Sequence, residues 1–410
     1  MTAKGTMAWG LAIFLVGLLT RTQAVTLGGA YVFLAVLLAA TYAKVALGHI
    51  SYRRELSAKK VSVGDKVTLR IGVENRKPIP VLYLRCEDEV PDKHALGALP
   101  THRHYRPGRA ILTNVVYLKW FERVEREFTM ECVGRGVFAL GSVRLSTGDL
   151  FGFRESSAEM PVVDQLTVLP RMATVQGIPW DEHFPLGVRP WRGWMHPDPL
   201  MVAGAREYVP GTPLKRIAWR TTAKTGALQE KLLEPTVQLS VVTALSLSTA
   251  DHYWEGVNQE LLETGIFVCA SVCREMLHRG TPFGLVANSA STRSARDSLL
   301  VRPGLSRSHL QRTLEVLARL TMPWMEFRAT LRQIPREIGP ETGVIVIMTH
   351  QIQPDWDEVL TLADHGRSVV VVVLAADVRF ASYYRRVPTY ALAGRVDWRA
   401  SEAISLERLV

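Results

Sequence analysis

Val369-Val-Val-Val-Val-Leu374 has no polar side chain on either alternating face, so a strand formed there must be covered on both sides. The run 343–348, Gly-Val-Ile-Val-Ile-Met, reads the same way. Working outward, 237–247, 283–287 and 368–375 are strand candidates, and helical periodicity fills 255–279, 306–320 and 354–365. Strands alternating with helices from Gln238 onward predict a mostly parallel sheet in a doubly wound α/β domain. No phosphate-binding glycine loop, dinucleotide fingerprint or nucleophile elbow occurs in it, which speaks against a nucleotide enzyme or a serine hydrolase.

Upstream the period changes. Between Leu56 and Leu169 the chain alternates apolar and polar residues in short runs punctuated by Gly and Pro. Two runs flank the Gly64-Asp65 turn, and others cover 82–88, 110–118, 125–133, 136–145 and 165–169. This spacing predicts an all-β sandwich of the immunoglobulin-like kind over 51–170. Residues 171–204, rich in Pro, Gly and Trp without period, read as a linker or surface loop. Trp180, Trp191 and Trp194 there suit loop packing, with a binding platform as the alternative.

The first fifty residues differ again. No charge interrupts the stretch between Lys4 and Arg21, and another runs from Thr22 to Ala43. A helical hairpin in the membrane over 1–50 is expected; a signal peptide ending near Thr22-Gln-Ala24 competes for the first stretch. Lys44, His49, Arg53, Arg54, Lys59 and Lys60 follow the second stretch, against Arg21 alone in the turn. The positive-inside rule then puts both termini and the body in the cytoplasm of a two-helix membrane protein, and the basic collar would also attract anionic headgroups of the lipid bilayer. The formal net charge of +10 suits an anionic surface, nucleic acid or an acidic partner without choosing among them. Cys86, Cys132, Cys269 and Cys273 lack zinc-ligand spacing and read as buried reduced thiols. His102 and His104 read as a solvated loop.

The most unusual segment is 206–228. It opens Arg206-Glu207-Tyr208-Val209-Pro210-Gly211 and continues through Lys215, Arg216, Trp219, Arg220 and Lys224. Basic groups around an aromatic could hold phosphate or single-stranded nucleic acid. Structurally, Arg216 and Arg220 could instead pair with Glu207 and Glu234 and tie the segment to the sheet. Ile217 and Trp219, two apart, would share one face of a strand and anchor it.

This segment resembles the hallmark of the family catalogued as domain of unknown function 58, roughly R-E-Y-x-P-G-D-x-x-R-x-I-D-W-x-x-S-A-R. Arg135-Gly-Val-Phe-Ala-Leu-Gly141, continuing to Asp149-Leu-Phe-Gly152, is similar to the run that closes the family's β-domain. The resemblance spans nearly the whole chain and implies a bacterial protein with a von Willebrand factor A-like α/β domain over 205–410. It also implies work alongside a MoxR-type AAA+ ATPase and transglutaminase-like membrane proteins, with no known reaction.

The A-type domain binds a divalent ion through D-x-S-x-S after its first strand, with a Thr and a second Asp on later loops. Here Ser246 stands for the Asp, Ser248 keeps its place, Ala250 replaces the last Ser, and Thr349-His350 ends a later strand. Magnesium wants carboxylate oxygens, so no cofactor is expected unless Asp251 completes the site. The degenerate face would then act through Ser246, Ser248, Thr349 and His350. The expected function is a membrane-anchored, non-enzymatic adaptor serving the assembly or maturation of envelope proteins. The alternatives are an envelope-related hydrolase or transferase, for which no nucleophile–base pair is legible, and nucleic-acid binding through the basic hallmark.

Overall fold

The computed structural model describes residues 3–92, 96–97, 99–148, 155–184, 188–190, 202–233, 236–252, 255–290 and 298–409. Its contacts divide the chain into two compact units, Met1–Pro170 and Arg171–Val410.

The first unit opens with helices Ala3–Leu19 and Gln23–Ala46. They lie against each other at backbone distance: a Cβ on Gly17 would stand 2.5 Å from the amide of Thr26, and one on Gly29 2.3 Å from that of Phe14. Only glycine permits such an approach. The outward faces carry exposed Trp9, Leu15, Leu19, Leu27, Leu34 and Leu38. Among the described residues no helix is long and apolar enough to cross a membrane. The first, at 17 residues, rises only about 26 Å against the roughly 30 Å of a hydrocarbon core.

Beyond the helices, a four-stranded, a five-stranded and a three-stranded sheet make up the rest of the unit. The strand Lys66–Asn75 alternates as its sequence demands, burying Val67, Leu69, Ile71 and Val73. The strand expected at 136–145 is two strands, Gly136–Leu140 and Val143–Gly148, in different sheets. Ile50–Leu56 pairs with Lys66–Asn75, so the β-region begins earlier than its periodicity suggested. Arg54 lies on this strand and is no part of a solvated collar. Its side chain is fully buried, meets Asp88 at 3.1 Å and Asp164 at 2.9 Å, and donates to the carbonyls of Leu140, Gly141 and Val162. Tyr52 donates to the same Asp88 carboxylate at 2.5 Å, so strands of two sheets meet on one buried ion. Burial is the main force raising the Asp88 pKa, opposed by these donors. His102 is exposed on the short strand Thr101–Arg103, and His104 accepts from the Arg106 amide at 3.0 Å. The end of the second family-like element, Asp149 to Gly152, lies outside the described residues.

The second unit is built on an eight-stranded sheet. Its order is Thr174–Gln176, Ala403–Leu409, Thr389–Leu392, Val369–Val373, Gly343–Met348, Val241–Leu245, Phe283–Ala290 and Ser298–Gly304. The middle five strands run parallel, with antiparallel neighbours at Ala403–Leu409 and Ser298–Gly304. The central strands Val241–Leu245 and Gly343–Met348 are both buried along their whole length; the second is apolar throughout, whereas buried Thr243 interrupts the first. Helix Gln259–His278, started by Asn258 accepting from the Glu260 and Leu261 amides, packs on Val241–Leu245. Helices Phe327–Glu337 and Gln353–Asp364 cover the face formed by Val242, Ala244, Val344, Val346 and Met348.

Two features depart from the sequence reading here. The segment 171–204 is not all loop: Thr174–Gln176 adds a strand to the sheet, and Trp180–His183 is a short helix with Trp180 buried. Trp191 and Trp194 lie outside the described residues. Helix Phe327–Glu337 was not legible, since Pro335 sits inside it.

Candidate functional site

Val241–Leu245 sends the chain across to Phe283–Ala290, while the adjacent Gly343–Met348 sends it the other way to Val369–Val373. Between such diverging strands the carboxyl ends open a crevice, the usual ligand position in an open α/β sheet. A cavity of about 850 Å³ lies there, lined by 248–252, Gly256, Val257, 323–328, Ile352, Pro354 and Asp355.

The loop after Val241–Leu245 is held from three sides. Asn288, on the neighbouring strand, accepts from the Leu247 amide at 2.7 Å and donates to the Ser248 hydroxyl and the Met325 carbonyl, both at 3.1 Å. The Ser246 hydroxyl accepts from the Ser248 amide at 3.3 Å and is fully buried. Thr349 turns its hydroxyl inward, onto the carbonyls of Ser248 at 2.5 Å and Ser246 at 3.1 Å. The Ser246 and Thr349 hydroxyls are therefore bonded within the protein, and Thr349 fastens the two strand ends to each other.

His350 and Asp251 face outward instead, joined Nε2 to Oδ1 at 2.8 Å. This bond holds the Asp251 carboxyl below the usual aspartate range. The donors that magnesium would need are thus engaged: one hydroxyl is sealed, another donates to carbonyls, and Asp251 is paired to an imidazole. Among the described residues no group of three His, Cys, Asp or Glu side chains converges. The donor set does not suit a divalent ion.

Two residues that sequence did not single out define the cleft. Trp324 stands 58% exposed at its edge, and Asp355 is 1% exposed within its wall. Asp355 belongs to the first turn of helix Gln353–Asp364. In sequence it reads as an ordinary acid at a helix start, and nothing marks it as buried.

The hallmark segment forms a separate two-stranded ladder, Val202–Glu207 with Gln229–Leu233, outside the main sheet. Val209-Pro210-Gly211-Thr212 is a turn closed by the Thr212 amide on the Val209 carbonyl, with Gly211 at φ +102°. Proline followed by a positive-φ glycine suits a type II turn. Tyr208 is half-buried and donates to the Thr212 carbonyl at 3.4 Å. The ion pair here is Arg206 with Glu230, at 2.5 Å, and hydrogen bonds from Thr212 and Arg206 hold the Glu230 carboxyl low. Arg216, Arg220, Lys224 and Glu207 are exposed, and Glu234 lies outside the described residues. Trp219 is 63% exposed at the start of helix Trp219–Thr225, whereas Ile217 is 2% exposed. The chain turns helical between them, so they do not share a face, and Ile217 alone is the anchor.

All four cysteines are buried and unpaired. Burial pushes the Cys86 thiol up to about 12 and the Cys132 thiol to about 11.

The uncharacterized protein YeaD of Bacillus subtilis is 24% identical to this chain over 353 residues, covering 85% of the chain and 81% of YeaD. Among solved structures, the CARDB domain of a Pyrococcus furiosus protein in complex with di-metal ions matches 29% of the chain and 94% of its own length, with 13% identity and a TM-score of 0.20. A cohesin module from a Clostridium perfringens glycoside hydrolase matches 29% of the chain and 96% of its own length, with 12% identity and a TM-score of 0.21. Neither likeness bears on fold or function. Residues 204–380, which hold the hallmark turn, both central strand ends and the cleft, match the family described as protein of unknown function DUF58.

Proposed function

We propose that the chain is a membrane-seated, non-enzymatic interaction protein whose strand-end cleft docks a partner in the cytoplasm. The observation that carries this reading is the cleft itself: a large opening at the switch point whose lining hydroxyls, Ser248 and Thr249, accept from the Asn288 side chain and the Asn258 amide. Among the described residues, the His350–Asp251 pair has no Ser, Thr or Cys hydrogen-bonded to the imidazole, so a hydroxyl- or thiol-based triad is not assembled there. A shaped, partly apolar cleft without such machinery suits recognition. The family resemblance points to a MoxR-type AAA+ ATPase as the docked partner, with a transglutaminase-like membrane protein nearby and envelope-protein assembly or maturation as the process.

The membrane part of the reading rests on the apolar outward faces of the helical pair and on their glycine-mediated contact. Helices associating in lipid approach through small residues in this way. In water the same faces would leave an apolar surface far larger than scattered exposure explains.

A photo-crosslinking residue at Val257, on the cleft wall, tests the docking. In intact membranes it should capture an AAA+ ATPase, and the same probe at exposed Thr129 in the first unit should not. Equal capture from both positions would end the reading.

A second reading has its own observation. Trp219 is exposed beside exposed Lys215, Arg216, Arg220 and Lys224, an arrangement that suits an anionic polymer such as single-stranded nucleic acid. Salt-sensitive binding of an oligonucleotide, lost when Arg216 and Lys224 are both replaced, is its test.

A further inference from the structure

Among the described residues the cleft holds three carboxylates, and two of them have side-chain partners. Asp251 meets His350 at 2.8 Å and Glu326 meets Arg328 at 2.7 Å. The third, Asp355, is 1% exposed; the Arg328 backbone amide bonds its carboxyl, and its Oδ1 has no hydrogen-bond partner among the described residues. A buried carboxyl oxygen without a donor is costly, and a donor brought by a ligand is one way to satisfy it. The surroundings say what kind of ligand. Trp324, Pro323, Met325 and Val257 give the cleft an apolar rim with one broad aromatic face. Among the described residues, the one arginine in the lining is already engaged with Glu326.

We infer that the cleft takes a cationic side chain, guanidinium or ammonium, from a peptide segment of the docked partner, with Asp355 as counter-ion and Trp324 as stacking face. This deepens, and rests on, the docking proposed above. A cation over an indole gains from the ring's negative face, and a buried carboxylate supplies the charge-assisted hydrogen bond. A volume of about 850 Å³ admits several residues around the cationic one. An acidic ligand would meet Asp355, Glu326 and Asp251 together and be repelled. Burial pushes the Asp355 carboxyl up to about 7, with Glu326 raising it and Arg328 and His350 lowering it. Asp251 and His252 also line the cleft. An arriving cation favours the ionised form of Asp355, so its binding releases a proton near neutrality and strengthens from pH 6 to 8.

The test uses the full chain in lipid nanodiscs, titrated with N-acetyl-arginine amide and with N-acetyl-citrulline amide, its neutral counterpart, and followed by ligand-observed NMR. The arginine compound should bind roughly tenfold tighter than citrulline, and Asp355→Asn should erase that preference. Trp324→Ala, at a position 58% exposed, should weaken arginine binding roughly fivefold while the thermal melt reports any change in folding. Equal binding of the two compounds, a preference that survives Asp355→Asn, or displacement of arginine by stoichiometric magnesium would each overturn the assignment. Crosslinking from Val257 reads the docking separately. Capture without arginine preference removes only the cationic ligand, and arginine preference without capture removes only the docking.

Discussion

Thr349 donates its hydroxyl to the Ser248 carbonyl at 2.5 Å, fastening the end of one central strand to the loop that follows its neighbour. The same hydroxyl reaches the Ser246 carbonyl at 3.1 Å, and the residue is 6% exposed. Thr349→Val keeps the shape and removes the donor. It should cost about 1–2 kcal/mol in thermal unfolding. A variant as stable as the parent would show the loops to be held by Asn288 alone.

Trp219→Ala should change stability by less than about 0.5 kcal/mol, because its ring faces solvent. Ile217→Ala should cost about 2–4 kcal/mol, since that side chain is buried under the hallmark ladder. Denaturant melts of the two variants side by side decide between them.

Asp355→Asn should stabilise the chain at pH 8 and hardly at all at pH 4. The folded carboxyl, raised to about 7 from 3.8, binds its proton more tightly than the unfolded one. Stability therefore falls as pH rises from about 4 through about 7. The asparagine variant escapes that loss, by up to a few kcal/mol. Melting temperatures across pH 4–8 in detergent give the comparison, and parallel curves would contradict it.

Calorimetry with magnesium or manganese should show no micromolar binding by the parent chain, since Ser246 is sealed and Asp251 is engaged with His350. Ser246→Asp together with His350→Asp should melt lower without magnesium, because a carboxylate is then buried at the strand end. Added magnesium should recover part of that loss.

Orientation is tested from an exposed site, because Cys86 and Cys132 are both fully buried and label from neither side. With Leu214→Cys, at 71% exposure, a membrane-impermeant maleimide should react only after cells are opened. Labelling of intact cells would reverse the proposed topology.

Sequence alone determined what depends on neighbours along the chain. Five consecutive valines at 369–373 could form only a strand covered on both faces, and Gly343–Met348 likewise. The pattern of 66–75 set its buried face, and Pro210-Gly211 set a turn. Tertiary structure decided what depends on who stands opposite. Arg54 belongs in sequence to a basic collar, yet five acceptors distant in sequence draw it inside. Trp219 has the composition of an anchor, but a helix beginning at that residue turns it to solvent. Asp355 reads as a helix-start acid until packing around its own helix removes the water. Burial and hydrogen bonding of a polar group are long-range properties: they are fixed by residues tens of positions away, which no local period encodes.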